Sequence, residues 1–423
     1  MTSVTFSNGL KAYTVGLLTL IYTANYVDRQ IVAILLQSIK TDMGLSDTQL
    51  GMLTGLAFGL FYATLGIPIA YLADRMSRKK IIIASLSLFS VMTFACGLAQ
   101  TYAQLLLARV GVGVGEAGTS PPSHAMIADM YGPSERATPL AVFALGINLG
   151  LFVAFIGGGW INDNYGWRTA IQVIALPGLA LAVLAWFTMR DPPRGMSDNK
   201  TDGEAPPMKE IFVYMWQTKS IRHLIIGSTL IITVGYGAIA WLPSFFIRVH
   251  EMTATQVGSM LALFIGIGGA VGTTLGGIAA DRLGKKDVRW NLWLVAGLGV
   301  ATAPFSFMAY MATSLEGAIY WIIFPMLTGA LYFGPTIAML HTLVKPEMRS
   351  LASAIMLFIN NIVGLGVGPL SIGIMSDYLT PLYGVRGLGY ALACFILIGI
   401  WGNLHYFIAA RSLKTDIREI AES

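Results

Sequence analysis

Four charged side chains sit in apolar runs that would ordinarily carry none: Asp28 and Arg29 in "IYTANYVDRQIVAILL" (21–36), and Arg109 and Glu116 in "LLLARVGVGVGEAG" (105–118). Carboxyl and guanidinium groups divide the chemistry between them. Burial raises a carboxyl pKa and a neighbouring guanidinium lowers it, so an acid whose arginine partner comes and goes binds and releases a proton near neutral pH. Asp28 and Glu116 are therefore candidate proton carriers. Arg29 and Arg109, always charged and forked, are candidates to hold either those carboxylates or an anionic head group. The plainer alternative is two ion pairs that fasten one helix to another without any cycle of protonation. Well-packed apolar residues do that job as well or better.

The same stretch contains Gly113-Val-Gly115-Glu-Ala-Gly118, which matches the Gly-x-Gly-x-x-Gly pattern of dinucleotide-binding folds. That fingerprint follows a strand, opens a helix and has an acid about 20 residues further on. Here the run is continuously apolar, and the next acid, Asp129, comes 11 residues after Gly118. The glycines are expected to be packing surfaces.

The elements that hold these charges follow from composition. Of 423 residues 55% are hydrophobic and 12% charged, against about 25% charged in a soluble domain. Apolar segments near the roughly 20 residues needed to cross a bilayer recur at 11–39, 48–73, 81–100, 102–131, 138–161, 168–189, 221–249, 254–280, 291–312, 317–344, 350–376 and 387–410. The expected fold is an all-α membrane protein of twelve transmembrane helices. A charge at the bilayer centre costs about 2.5–3.5 kcal/mol on insertion scales, which makes the four buried charges functional candidates. Asp28 lies roughly 25 Å along its helix from Lys11, and Glu116 roughly 21 Å from Tyr102, so the two acids are placed to meet near mid-depth.

Lysines and arginines gather in alternate loops. With the N-terminus inside, the inner segments hold 21 of the 27 and the outer ones four, Lys40, Arg168, Arg248 and Arg386. Both termini are thus expected to be cytoplasmic. The net charge of +5 is this bias, and no nucleic-acid partner is implied. Cys96 and Cys394 fall inside apolar segments and are expected to be small core residues. No cofactor is called for beyond a coupling proton.

Residues 190–220, rich in Pro, Gly and Asp at their start, form a cytoplasmic linker with room for a short interfacial helix. They separate a six-helix bundle over 1–189 from a second bundle and short tail over 221–423. The halves repeat each other. "LADRMSRKK" (72–80) corresponds to "AADRLGKK" (279–286), and "PSERATPLAVFALGINLG" (133–150) to "KPEMRSLASAIMLFINNIVG" (345–364), with Asp74 and Asp281 207 positions apart and Arg136 and Arg349 213 apart. Chance dipeptides would not keep that register.

A parallel six-helix duplication with these loops resembles the major facilitator superfamily. The Arg-x-x-x-Gly-x-Gly run (Arg109, Gly113, Gly115) and "YGWR" (165–168) carry the same resemblance. "NYVDR" (25–29), "RVGVGVGEAG" and "MIADMYGPSERA" (126–137) narrow it to the spinster group, whose animal members export sphingosine-1-phosphate and lysophospholipids. Short loops and tails suit a monomeric bacterial member of the inner membrane, whose substrate need not be the animal one.

The resemblance implies alternating access and puts weight on Asp28, Arg29, Arg109 and Glu116. It also implies a cytoplasmic gate of Asp74, Arg75, Arg78, Asp129 and Arg136, with a second copy of Asp281, Arg282 and Arg349. That copy is expected to be weaker, since Thr342 stands where Asp129 does in the first. The C-terminal half has no charge near mid-depth and offers Tyr236, Trp241, Phe333 and Asn361 as possible cavity lining. A charged wall opposite an apolar one suits an amphiphilic anion, its head on Arg29 and its tail toward the C-terminal half. A small organic anion such as a sugar acid is the other reading. An oxidoreductase or a sensor would need a soluble domain for which the linker has no room.

Overall fold

The computed structural model describes residues 6–73, 75–132, 135–194, 196 and 207–422. Asp74 of the expected gate and 197–206 of the linker lie outside the described residues. Every regular element described is helical. In chain order the α-helices are α1 (Asn8–Met43), α2 (Asp47–Thr54), α3 (Leu56–Ala73), α4 (Arg78–Leu98), α5 (Tyr102–Glu116), α6 (Ser120–Met130), α7 (Ala137–Phe152), α8 (Gly158–Thr188) and α9 (Met208–Gln217). They continue as α10 (Lys219–His250), α11 (Ala254–Leu261), α12 (Gly269–Gly284), α13 (Trp290–Met311), α14 (Leu315–Thr328), α15 (Phe333–Thr342), α16 (Arg349–Asn360), α17 (Gly368–Tyr383) and α18 (Gly387–Glu422). Short π and 3-10 turns join several of them.

Among the described residues, eight helical stretches are long and apolar enough to cross a membrane. Two of these run through pairs of expected segments: Ala137–Thr188 takes in 138–161 and 168–189, and Pro346–Ile420 takes in 350–376 and 387–410. Inside α8 the direction changes at Gly166, whose φ of 82° is a left-handed conformation that suits glycine. The expected helix 102–131 is two pieces, because Pro121 and Pro122 have no N–H to continue α5 and instead open α6. α1, interrupted by threonines, Asn25 and the Asp28-Arg29 pair, falls outside the eight.

Starts and stops follow local chemistry. Ser7 caps α1 and Gly44, at φ 64°, ends it. Ser46 with Gln49, and Thr253 with Gln256, form capping boxes at the starts of α2 and α11, 207 positions apart like the Asp-Arg loops. Many large apolar side chains point outward, Phe187 at 80% exposure and Leu107 at 70%. Such a surface belongs against lipid.

The chain divides into two compact units. The first draws on Met1–Leu45, Leu56–Asp202 and Met252–Ala262. In it α1 packs on α7 and α8, α4 on α5 and α8, α3 on α5, and α11 on α8. The second draws on Ser46–Gly55, Gly203–Glu251 and Leu263–Ser423. There α10 packs on α17 and α18, α13 on α14 and α18, and α2 on α17. Its core gathers Ile221, Leu224, Leu292, Leu340 and Tyr406, and the Tyr406 hydroxyl shares a 2.6 Å hydrogen bond with Thr336 Oγ1. Cys96 is buried as expected, whereas Cys394 is exposed on the surface of α18; an apolar helix surrounded by lipid has an apolar outside too.

In the loop between α12 and α13, Asp287 accepts from Arg289 Nη2 and Lys414 Nζ, each at 2.8 Å. The Arg289 side chain first, then Lys414, hold the Asp287 carboxyl well below the usual carboxylate range. A depressed carboxyl stabilises the folded loop above the ordinary carboxylate pKa and loses that contribution only as pH falls through its own lower value. Backbone hydrogen exchange around 287–290, corrected for intrinsic rate, is therefore expected to stay slow from pH 7 down to about 4. It is expected to rise at all these pH values in Asp287→Asn.

Candidate functional site

In the first unit the four charges of the apolar runs come together, and they pair crosswise. Asp28 and Arg29 are consecutive on α1, so each faces a different partner. Arg29 Nε donates to Glu116 Oε2 at 2.6 Å. Arg109 Nη1 reaches Asp28 Oδ2 at 3.5 Å, and Thr93 Oγ1 donates to Asp28 Oδ1 at 2.6 Å. Asp28, Arg109 and Glu116 are at most 2% exposed. The Arg29 guanidinium also lies 4.2 Å from the Tyr62 ring centroid, which offsets part of its desolvation. The cluster is not fully satisfied. Glu116 Oε1, Arg109 Nε and Asn25 Oδ1 make no hydrogen bond among the described residues.

Helix packing makes this approach possible. A Cβ on Gly113 would lie 2.7 Å from the Phe58 carbonyl oxygen, and one on Gly115 2.6 Å from the Phe89 backbone nitrogen. α5 therefore presses directly on the backbones of α3 and α4, as expected for packing glycines. Glu116 is the last residue of α5, just before the turn at 117–119, where Asn25 Nδ2 donates to Thr119 Oγ1.

Of the expected gate residues, Arg78 and Asp129 form an ion pair within the first unit, their side chains about one-tenth exposed. Arg136 donates to the carbonyls of Ala128 and Tyr131 at the end of α6, at 2.7–3.0 Å. Arg349 repeats this in the second unit, donating to the His341 carbonyl at 3.1 Å, and His341 lies 213 positions from Ala128 as Arg349 does from Arg136. Arg75 covers the Tyr71 ring at 3.5 Å. Asp281 and Arg282 close α12 with no ion pair among the described residues.

The second unit has a partly open cavity of about 380 Å³ with no acidic or basic side chain in its lining. Tyr236 is on its wall. Trp241, Phe333 and Asn361 are not among its lining residues. Trp241 is fully buried, its indole N–H donating to the Pro369 carbonyl at 2.8 Å, and its size suits it to bundle packing. Phe333 is half exposed. At the 360–361 pair the buried member is Asn360, whose Oδ1 accepts from Thr229 Oγ1 at 2.8 Å.

One charged cluster has no counterpart in the sequence expectations. In the second unit Arg248 grips Asp47 with two bonds of 2.6 and 2.8 Å, Ser376 Oγ donates to Asp47 at 2.6 Å, and Asp377 accepts from the backbone N–H groups of Asp47 and Thr48. The first unit holds its counterpart: Asp163 accepts from Ala254 N, Thr255 N and Thr255 Oγ1 at 2.6–3.3 Å. Both carboxylates cap the first turn of a short helix. The repeated Ser/Thr-x-x-Gln boxes were the available signal.

Comparisons with known proteins agree with this architecture. The Major Facilitator Superfamily pattern matches residues 18–369. An MFS-type efflux pump of Mycolicibacterium smegmatis is 34% identical over 96% of this chain and 94% of its own length. Protein spinster homolog 1 of Xenopus tropicalis is 28% identical over 93% of this chain and 79% of its own length. The crystal structure of a bacterial homolog to the human lysosomal transporter Spinster, in an inward-facing and occupied conformation, superposes with a TM-score of 0.86 at 28% identity, covering 97% of this chain and 99% of that one. The chain belongs to the major facilitator superfamily: it is a multi-pass integral membrane transporter, related to spinster proteins and to efflux pumps, and not an enzyme.

Proposed function

We propose that this protein is a proton-coupled secondary transporter of an amphiphilic anion, working by alternating access as a monomer of twelve spans with both termini cytoplasmic. The observation that carries the reading is the crossed pairing in the first unit. Two acids and two arginines share one desolvated cluster, so a proton taken up by Asp28 or Glu116 frees the arginine that the acid was holding. The freed guanidinium then needs an anion, and a substrate head group supplies one. Glu116 Oε1 is buried and without a hydrogen bond among the described residues, so taking up a proton there removes a poorly solvated negative charge. The second unit by itself holds an uncharged cavity whose apolar surface suits a hydrocarbon chain.

The 21-to-4 lysine and arginine bias supports the orientation, and relatives in bacteria suit a bacterial inner membrane. The Arg78–Asp129 pair and the Arg136 contacts with the end of α6 are assigned to the cytoplasmic gate. Arg75, Asp281, Arg282 and Arg349 belong to the same face on that assignment, as does Asp74.

In liposomes with an imposed pH gradient, Asp28→Asn and Glu116→Gln are expected to reduce proton-driven accumulation to the level of empty liposomes while leaving the protein folded. Unchanged pH-dependent transport in both would overturn the coupling. Lysophospholipids are expected to compete for transport where small organic acids do not, and the reverse result would move the substrate to the small anions. Arg78→Ala leaves Asp129 without its guanidinium and is expected to lower unfolding stability in detergent by about 1–3 kcal/mol.

A further inference from the structure

Among the described residues of the linker one stretch is helical, α9, and its apolar side chains fall on two faces. Ile211 and Met215 are buried and join the core of the second unit, where α9 packs on α10 and α16. Tyr214 extends the attachment, its hydroxyl donating to the Leu343 carbonyl at 2.9 Å. Met208, Phe212 and Trp216 stand four residues apart on a second stripe, and each is about half exposed. Glu210 and Gln217 occupy the side away from that stripe, and both are exposed. A helix with water on all its open sides has no use for Met, Phe and Trp in one exposed row.

The chain itself sets this stripe beside the bilayer. Only Thr218 separates α9 from α10, a 32-residue helix that is long and apolar enough to cross a membrane. At 1.5 Å per residue α10 is about 48 Å long, enough for the hydrocarbon and both headgroup layers, about 40–45 Å together. Its first turn therefore lies at headgroup level, and Trp216, three residues before Lys219, is held there with it. Charge completes the match. In 207–222 Lys209, Lys219 and Arg222 are basic, and Glu210 alone is acidic. Both lysines are exposed, and Arg222 Nη1 donates to the Trp216 carbonyl at 3.4 Å, which sets its guanidinium beside the stripe. Aromatic and aliphatic residues on one face with basic ones flanking them are the composition of helices that lie in the headgroup–acyl boundary. Lysines at that depth extend to reach the headgroups.

We propose that α9 is a lipid-docking helix: Met208, Phe212 and Trp216 enter the acyl boundary of the leaflet on the linker side, and Lys209, Lys219 and Arg222 select anionic headgroups there. The partner is a bilayer surface, because the recognising face is apolar and leads directly into a spanning helix. Its other apolar face, Ile211 and Met215, ties the docked helix to the second unit. The inference draws only on the chain's being a membrane transporter and needs neither the coupling proton nor the substrate assigned above.

The test places an NBD fluorophore on Phe212→Cys or, separately, on Gln217→Cys, in the full chain carrying Cys394→Ala and reconstituted in liposomes of phosphatidylcholine and phosphatidylglycerol. Both labelled positions are exposed, so neither substitution opens the core. At 212 the emission is expected to be blue-shifted, quenched by nitroxide-bearing lipid and untouched by aqueous iodide; at 217 iodide is expected to quench. Nitroxide-labelled phosphatidylglycerol is expected to quench 212 at least about fivefold more effectively than labelled phosphatidylcholine at equal mole fraction, the factor contributed by one lysine near an anionic surface. That preference is expected to shrink in Lys209→Gln/Lys219→Gln. Iodide quenching at 212 would put the stripe in water, and quenching by neither agent would put it under protein, whether linker or partner; each result overturns the docking. Equal quenching by the two labelled lipids overturns the selection of anionic headgroups, and that comparison needs no lysine variant.

Discussion

A guanidinium held against a carboxylate away from water cannot leave without a replacement, and in the first unit this constraint applies twice in one place. Arg29 is held by Glu116 and Arg109 by Asp28, with the two arginines contributed by different helices and each acid lying on the helix opposite its partner. Neutralising either acid strands a charge in a low-dielectric setting, at a cost of several kcal/mol per ion when nothing compensates. The arrangement is therefore poor as a fastener and suited to exchanging one anion for another. Its geometry depends on backbone contact: α5 comes close enough to α3 and α4 only because Gly113 and Gly115 have no side chains.

The two units divide the chemistry unequally. The first carries the buried charges, cushioned by Tyr62 and tied through Thr93. The second keeps its interior free of acids and bases around the cavity, and its buried polar groups are mostly amides and hydroxyls, such as Asn360 with Thr229 and Tyr406 with Thr336. A duplicated chain has thus kept its loops and caps in register while its interiors have taken on different solvation.

Much of the fold was legible because hydropathy and repeats are properties of single positions. The four charges in apolar runs, the offset of the halves and the role of the glycines could all be read from residue type and spacing. The crossing of the ion pairs could not. Spacing puts Arg109 and Glu116 on one helical face, but which acid on α1 meets which arginine depends on rotation and depth across two helices. The break after Glu116 was signalled by Pro121 and Pro122, yet an apolar run read by length alone hides it. Trp241 shows the opposite error: an aromatic in a charge-free half looks like cavity lining, while its indole N–H had a carbonyl to satisfy inside the bundle. The Asp47–Arg248 cluster was missed because each of its members sits at the end of an apolar segment, where charges are ordinary.

The carboxylate-capped helices α2 and α11 have a consequence for how the chain is made. Residues 252–262 belong to the first unit, although they are synthesised after the linker and after all of α10, and residues 46–55 belong to the second although they emerge among the earliest. Folding during synthesis generally completes one domain before the next. Here the first unit lacks its last helix, and Asp163 the amides it caps, until more than half the chain has left the ribosome, while α2 waits for α17. Biogenesis of the two halves is interleaved, and neither is finished before the other is well under way.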